Sequence, residues 1–197
     1  MLGIFLDTET NGLNPFRHRV LEIALKVVDL KTGEVKAVYE SIVNQPQHIW
    51  ESSDPTSLKV NGFTFEKVAH GKPGSVVAME ITNILQQNQI RRGSAVYICQ
   101  NPSFDRIFFG QLIDPDIQES LQWPYYWLDL ASMYWAEALR RGKQNPAHYP
   151  WNTGISKDRI ASVYHLEGEA NPHRAMNGVN HLLACYGKVI GFVDQNN

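Results

Sequence analysis

Apolar and polar positions change rhythm several times along the chain, and each rhythm predicts an element. Ile4, Phe5 and Leu6 form a short apolar run that reads as a buried strand. Leu21, Ile23, Leu25 and Val27 then alternate with Glu22, Ala24, Lys26 and Val28, the period of two expected of a strand. Lys31-Thr32-Gly33-Glu34 supplies a turn, and Val35 to Val43 returns as a third strand. Residues 3–43 are thus predicted to hold three strands, the last two a hairpin. From 44 to 74 the chain reads as irregular, with Pro46, Pro55 and Pro73. Val77, Ile81, Ile84 and Leu85 recur at helical spacing and predict an amphipathic helix over about 75–88.

Ala95 to Cys99 predicts a short buried strand, and Phe104, Ile107, Phe108 and Leu112 share one face of the helix after it. Trp127-Leu128-Asp129 introduces a further helix running to about Arg141, with Leu130, Tyr134 and Ala138 as its apolar set. A second irregular stretch spans Gly142 to Gly154. Ser156 then caps a helix carrying Ile160, Val163 and Tyr164 that is expected to stop near Gly168. Ala175, Val179, Leu182, Leu183, Tyr186 and Ile190 predict a final helix, and Asp194 to Asn197 are expected to fray.

With 197 residues and 43% hydrophobic content, the expectation is one globular domain over residues 1–197 with a sizeable core. A net charge of −2 offers no global basic field for nucleic acid, although a local cleft can still be basic. Cys99 and Cys185 are the only cysteines, which excludes a disulfide framework and a four-cysteine zinc site. The apolar start is broken at Asp7 and has no basic leader, so it does not read as a signal peptide. No apolar run is long enough to span a bilayer. A cytoplasmic protein without membrane partners is the expectation, and the oligomeric state is unreadable.

Candidate chemistry begins where the first strand ends. Period-two alternation places Asp7 and Glu9 on one face and Thr8 on the other. Two neighbouring carboxylates repel each other, and a divalent cation relieves that repulsion, with oxygen ligands suiting Mg²⁺ or Mn²⁺. A strand running into an Asx-rich turn at Asn11-Gly12 with solvated acids fits the spacing equally well. Asp105 falls in the first turn of a helix that starts at a strand end, where an acid also serves the helix dipole. His173 opens the final helix, a position that capping or surface histidines also occupy.

Taken together, FLDTETNGL, QNPSFDRIFF about ninety residues later, and PHRAM near the end resemble the DEDDh 3′→5′ exonuclease family. That family includes the proofreading subunit of the bacterial replicative polymerase, ribonuclease T and oligoribonuclease. Val60-Asn61-Gly62-Phe63-Thr64 and Trp127-Leu128-Asp129-Leu130 resemble two lesser motifs of the family. The resemblance implies an α/β, RNase H-like fold: a mixed five-stranded sheet with helices on both faces. It implies a metal-dependent exonuclease that releases nucleoside 5′-monophosphates from single-stranded DNA or RNA 3′ ends. Asp7, Glu9 and Asp105 would hold two Mg²⁺ or Mn²⁺ ions, and His173 would be the general base.

A free histidine, with pKa near ~6.5, suits proton removal from water at neutral pH. The backbone from Thr8 through Thr10 to Gly12 would lie against the terminal nucleotide, with Asn101 also beside the substrate. Leu13 and Phe63 would pack on the last bases or, as readily, in the core. The chain departs from the family at the fourth acid, whose place is taken by Gly178. That departure raises the alternative of a weakened member that binds 3′ ends or a protein partner. Asn177 or His181 could compensate, and Gly178→Asp is expected to restore the ligand set. Trp123-Pro124-Tyr125-Tyr126 and Tyr149-Pro150-Trp151 could stack bases or pack on their own domain. The chain ends soon after its last helix, which on the resemblance reads as a stand-alone enzyme, with any polymerase partner uncertain.

Overall fold

A computed structural model describes residues 1–195. Strands β1 (Leu2–Thr10), β2 (Val20–Asp29), β3 (Val35–Ile42), β4 (Ala95–Cys99) and β5 (Trp127–Asp129) form one sheet in the order β3-β2-β1-β4-β5. The β1–β2 and β2–β3 pairs are antiparallel, while β1–β4 and β4–β5 are parallel. This is the mixed five-stranded sheet that the sequence resemblance implied.

Helices cover both faces because β1 sorts its side chains by parity. Ile4 and Leu6 join a core with Val77, Ile81 and Leu85 of α4 (Gly74–Gln87) and Phe108 and Phe109 of α5 (Pro102–Leu112). Phe5 faces the other way, toward Leu130 and Tyr134 of α7 (Leu130–Gly142), Ile160 of α9 (Lys157–Val163), and Val179 and Leu182 of α10 (Ala175–Val189). Each layer removes a continuous apolar surface from water at roughly 25 cal/mol per Å². No helix among the described residues is long and apolar enough to cross a membrane.

Several local expectations need correction. The stretch expected to be irregular carries α1 (Gln47–Trp50), α2 (Pro55–Asn61) and α3 (Phe65–Ala69). Each is too short to display a helical apolar repeat, and α2 and α3 are set instead by caps. Asp54 accepts from Ser57 N, and Thr64 accepts from Lys67 N. The second irregular stretch likewise holds α8 (Pro150–Thr153), and a further helix, α6 (Pro115–Ser120), follows α5. Ile107 is 53% exposed, because α5 turns Phe108 and Phe109 inward instead.

Helix α9 ends at Val163, short of Gly168. His165 adopts a left-handed backbone (φ 56°), and Leu166 N donates back to Ala161 O, so the chain reverses over its own helix. The expected fraying covers Asn196 and Asn197, which lie outside the described residues. Asp194 is instead tied down, its N–H donating to Lys31 O at 2.9 Å.

One buried ion pair fixes the start of α10. Glu22 on β2 is 1% exposed, accepts from Ala175 N at 2.8 Å, and pairs with the Arg174 guanidinium. Arg174→Ala strands that carboxylate and is expected to cost about 3 kcal/mol, the lower end for breaking a buried pair, since Arg174 is itself 26% exposed. Urea denaturation measures it, and a loss under about 1 kcal/mol contradicts the anchoring role.

Candidate active site

The site lies at the C-terminal end of β1, where the parity that buries Phe5 carries on to Asp7 and Glu9. Thr8 points to the opposite face and is buried, as the alternation required. Its N–H and hydroxyl both donate to Asp105 Oδ1, at 3.0 and 2.8 Å. Asp105 is therefore fixed to the end of β1 by Thr8, and Thr8 has no free backbone donor to offer a nucleotide. Asp129 on β5 positions the preceding turn by accepting from Asn101 N at 3.0 Å. Asn101 itself is exposed, in a left-handed conformation (φ 56°) at the head of α5.

Acids crowd here. Burial and then the charge of Asp7 push the Glu9 carboxyl up to about 8. Burial also raises Asp105, with Asp7 adding repulsion, and burial raises Asp7 against the pull of Lys157. Such a set is short of positive charge, which is the condition a cation relieves.

Two residues that sequence reasoning missed complete the arrangement. Lys157, the first residue of α9, places its Nζ 3.1 Å from Asp7 Oδ1 and 2.9 Å from Glu169 Oε2. Glu169 sits on the segment that folds back after His165, and its N–H donates to Asp158 Oδ1 at 2.9 Å. Burial opposes ionisation of Glu169, but the nearness of His181 and the Lys157 ammonium hold its carboxyl down at about 2. The only sequence signal for Glu169 was an acid one helical turn's distance before His173. Nothing local marked Lys157.

His173 is partly exposed, with its backbone N–H donating to Val60 O and Nδ1 3.8 Å from Glu169 Oε1. Among the described residues, Glu9, Glu169 and His173 can bring ligand atoms within 4.8 Å of one another, a grouping that fits a divalent cation. That set differs from the expected trio of Asp7, Glu9 and Asp105. In it Asp7 is engaged by Lys157 and Asp105 by Thr8.

Gly178 does face the site. A Cβ added there would lie 2.3 Å from Asp7 Oδ2 and 2.5 Å from its Cγ, so no side chain fits while Asp7 keeps its place. The gain expected from Gly178→Asp is therefore withdrawn: the new side chain must first displace a carboxylate it was meant to assist. Gly178→Ala is expected to lower activity at least about 10-fold through that displacement. It should do so even though alanine is the better helix former by about 1 kcal/mol. Single-turnover kinetics check this, and unchanged rates contradict it. His181 lies behind Glu169, with Nδ1 3.8 Å from Glu169 Oε2, and Asn177 is half-buried one residue before Gly178.

The other expected contacts divide. Leu13 is 74% exposed and, with Thr8, Glu9, Thr10, Asn61 and Phe104, lines a groove of about 250 Å³ beside the acids. Phe63 is core: it is 5% exposed, packs with Leu21 and Val68, and lies under the Arg174 guanidinium, which closes it to a base. Thr10 is buried and donates to Gly12 O at 2.9 Å. Gly12 is needed for a different close approach from the one expected. A Cβ there would lie 2.3 Å from the His18 imidazole, so its smallness admits His18 rather than a nucleotide. Trp123 is core against Phe109, while Tyr149 and Trp151 stack on each other at 4.5 Å.

No known protein-family profile matches the chain. Over 73 residues, 37% of its length, it is 32% identical to the oligoribonuclease of Azoarcus sp. (strain BH72), of which that match covers 35%. Among solved structures it is similar to E. coli exonuclease I in complex with a dT13 oligonucleotide. That match has a TM-score of 0.75 and 17% identity, and covers 95% of this chain and 40% of the other. A 3′-exonuclease that recognises the 3′ end of the histone mRNA stem-loop matches with a TM-score of 0.70 and 12% identity, over 96% of this chain and 63% of the other. The chain thus spans well under half the length of the curated relative and of exonuclease I. In its RNase H-like fold, and in part of its sequence, this chain is similar to the DEDD 3′→5′ exonucleases.

Proposed function

We propose that the chain is a divalent-cation-dependent 3′→5′ exonuclease that removes nucleoside 5′-monophosphates from single-stranded nucleic acid ends. The observation that carries this reading is the gathering of Glu9, Glu169 and His173 at the end of β1, beside Asp7 and Asp105, next to an open groove. Glu9 and Glu169 would hold a cation. When bound, Mg²⁺ or Mn²⁺ would act as a Lewis acid that stabilises negative charge developing at the phosphate. His173, partly open to solvent at the site's mouth, would take the proton from the attacking water. Leu13 and Phe104 would pack against the terminal base in the groove between them. Asp105, locked by Thr8, would keep its carboxylate at the site without freedom to turn away.

The contact of Lys157 with Asp7 favours a second reading, a weakened member that holds 3′ ends with slow hydrolysis. End-labelled DNA and RNA single strands incubated with Mg²⁺ and with Mn²⁺ separate the two. Stepwise shortening from a free 3′-OH with 5′-monophosphate products supports the exonuclease. Tight binding with no products under single-turnover conditions supports the second reading, and cleavage of a circular strand contradicts both.

A further inference from the structure

Gly178 leaves the site one acid short of its resemblance, yet four carboxylates still converge on it: Asp7, Glu9, Asp105 and Glu169. The fourth arrives from the turn before α10 instead of from α10 itself. Its side chain is 4% exposed, so it is committed to this cluster and not to solvent. The Lys157 ammonium fills the space between Glu169 and Asp7, 2.9 Å from one and 3.1 Å from the other, and stands 3.5 Å from Gly178 O. A side chain at residue 178 would enter the space that Asp7 occupies in making this contact. The glycine and the lysine are thus two parts of one arrangement.

An ammonium already placed between two carboxylates excludes a divalent ion from the same space. Mg²⁺ needs oxygens at about 2.0–2.1 Å and would meet a like charge at close range. Space for a cation remains on the other side of Glu169, toward Glu9 and His173. A further observation points to the same carboxylate. His181 is 8% exposed, both its ring nitrogens lack a hydrogen-bond partner, and its Nδ1 faces Glu169 Oε2 at 3.8 Å.

We propose that Lys157 and Glu169 together replace the absent fourth acid: Lys157 is a built-in cation between Asp7 and Glu169, and the chain takes one divalent ion, between Glu9 and Glu169, rather than two. This rests on the cation-dependent reading of the same site. Glu169 supplies an oxygen ligand, and Lys157 acts as a positioning residue that holds Asp7 and Glu169 in register.

Counting bound Mn²⁺ by electron paramagnetic resonance and calorimetry on the intact chain tests it, with cleavage of an end-labelled strand followed in the same samples. Wild type should bind one Mn²⁺ per chain. Glu169→Gln should weaken that binding at least about 10-fold. Lys157→Met should raise the count to two, because it frees the space between Asp7 and Glu169. Two ions in wild type, or Glu169→Gln binding Mn²⁺ as wild type does, overturns the proposal. Because the wild-type count needs no variant, poor folding of either mutant leaves the test intact. Two ions together with cleavage overturn this inference alone, while no Mn²⁺ and no cleavage overturn the nuclease reading beneath it.

Discussion

His173→Ala is expected to lower the rate of 3′-terminal hydrolysis about 10²–10⁴-fold while leaving oligonucleotide affinity within a few-fold of wild type. The imidazole sits at the mouth of the site, 34% exposed, held by its backbone bond to Val60 and facing Glu169 Oε1 at 3.8 Å. Its removal leaves the acids of β1 and the groove beside Leu13 in place, so binding and hydrolysis should part company. Single-turnover cleavage measures one quantity and fluorescence anisotropy of a labelled strand the other. A variant that cleaves within threefold of wild type removes His173 from the reaction. Loss of binding in parallel with rate makes it a substrate contact instead of a base.

Glu9→Gln should have the largest effect on the cation-free protein. Burial, followed by repulsion from Asp7, raises the Glu9 carboxyl from 4.5 to about 8. Below about pH 4.5 this carboxyl is protonated in both folded and unfolded chains and contributes no pH dependence. Between there and pH 8 the unfolded chain ionises it while the folded chain retains the proton, so the unfolded state binds fewer protons. Stability must then fall as pH rises through this window, by an amount on the order of a few kcal/mol, and level off above it. Burial raises the carboxyls of Asp7 and Asp105 too, which adds to the decline.

Glu169, held down at about 2, acts in the opposite sense and in a separate window. Its contribution is complete above about pH 4.5 and is lost as pH falls toward 2. Urea denaturation in EDTA at pH 5 and pH 8 should find wild type weaker at the higher pH. Glu9→Gln should be more stable than wild type at pH 8 and decline less between the two, the remaining fall coming from Asp7 and Asp105. Added Mn²⁺ should restore wild type and not the variant. A wild type equally stable at both pH values, without cation, contradicts the crowding of acids that the site geometry requires.

The sheet was legible to the extent that each strand carried its own pattern. Alternation from Leu21 to Val28 predicted β2, and the parity of β1 placed Asp7 and Glu9 opposite Thr8, as observed. Helices α4, α7 and α10 announced themselves because each buries one stripe of apolar residues over three or more turns. The short helices around residues 47–69 did not, since four to seven residues are too few for the i, i+3, i+4, i+7 recurrence of an apolar face. Phe63 fitted a base-stacking surface and the core equally well, and Gly12 looked like a nucleotide contact. Whether an aromatic ring is free, or what a glycine makes room for, depends on neighbours distant in sequence: Arg174 over Phe63, and His18 against Gly12.

By itself, the sequence determined the strand parity that aims two acids one way, the helix that brings Asp105 to the end of β4, and the helix start that presents His173. These are properties of one element at a time, written in residues a few positions apart. Only the tertiary structure brought Lys157 and Glu169 to Asp7. Lys157 lies 150 residues from Asp7 in sequence and 3.1 Å from it in space. Glu169 arrives only because the chain reverses at His165. Local periodicity reports which face of an element is apolar, whereas an ion pair between distant elements depends on the path of the chain that connects them. That path is fixed by packing across the whole sheet, so Lys157 was silent in the sequence and Glu169 was marked only by its distance from His173.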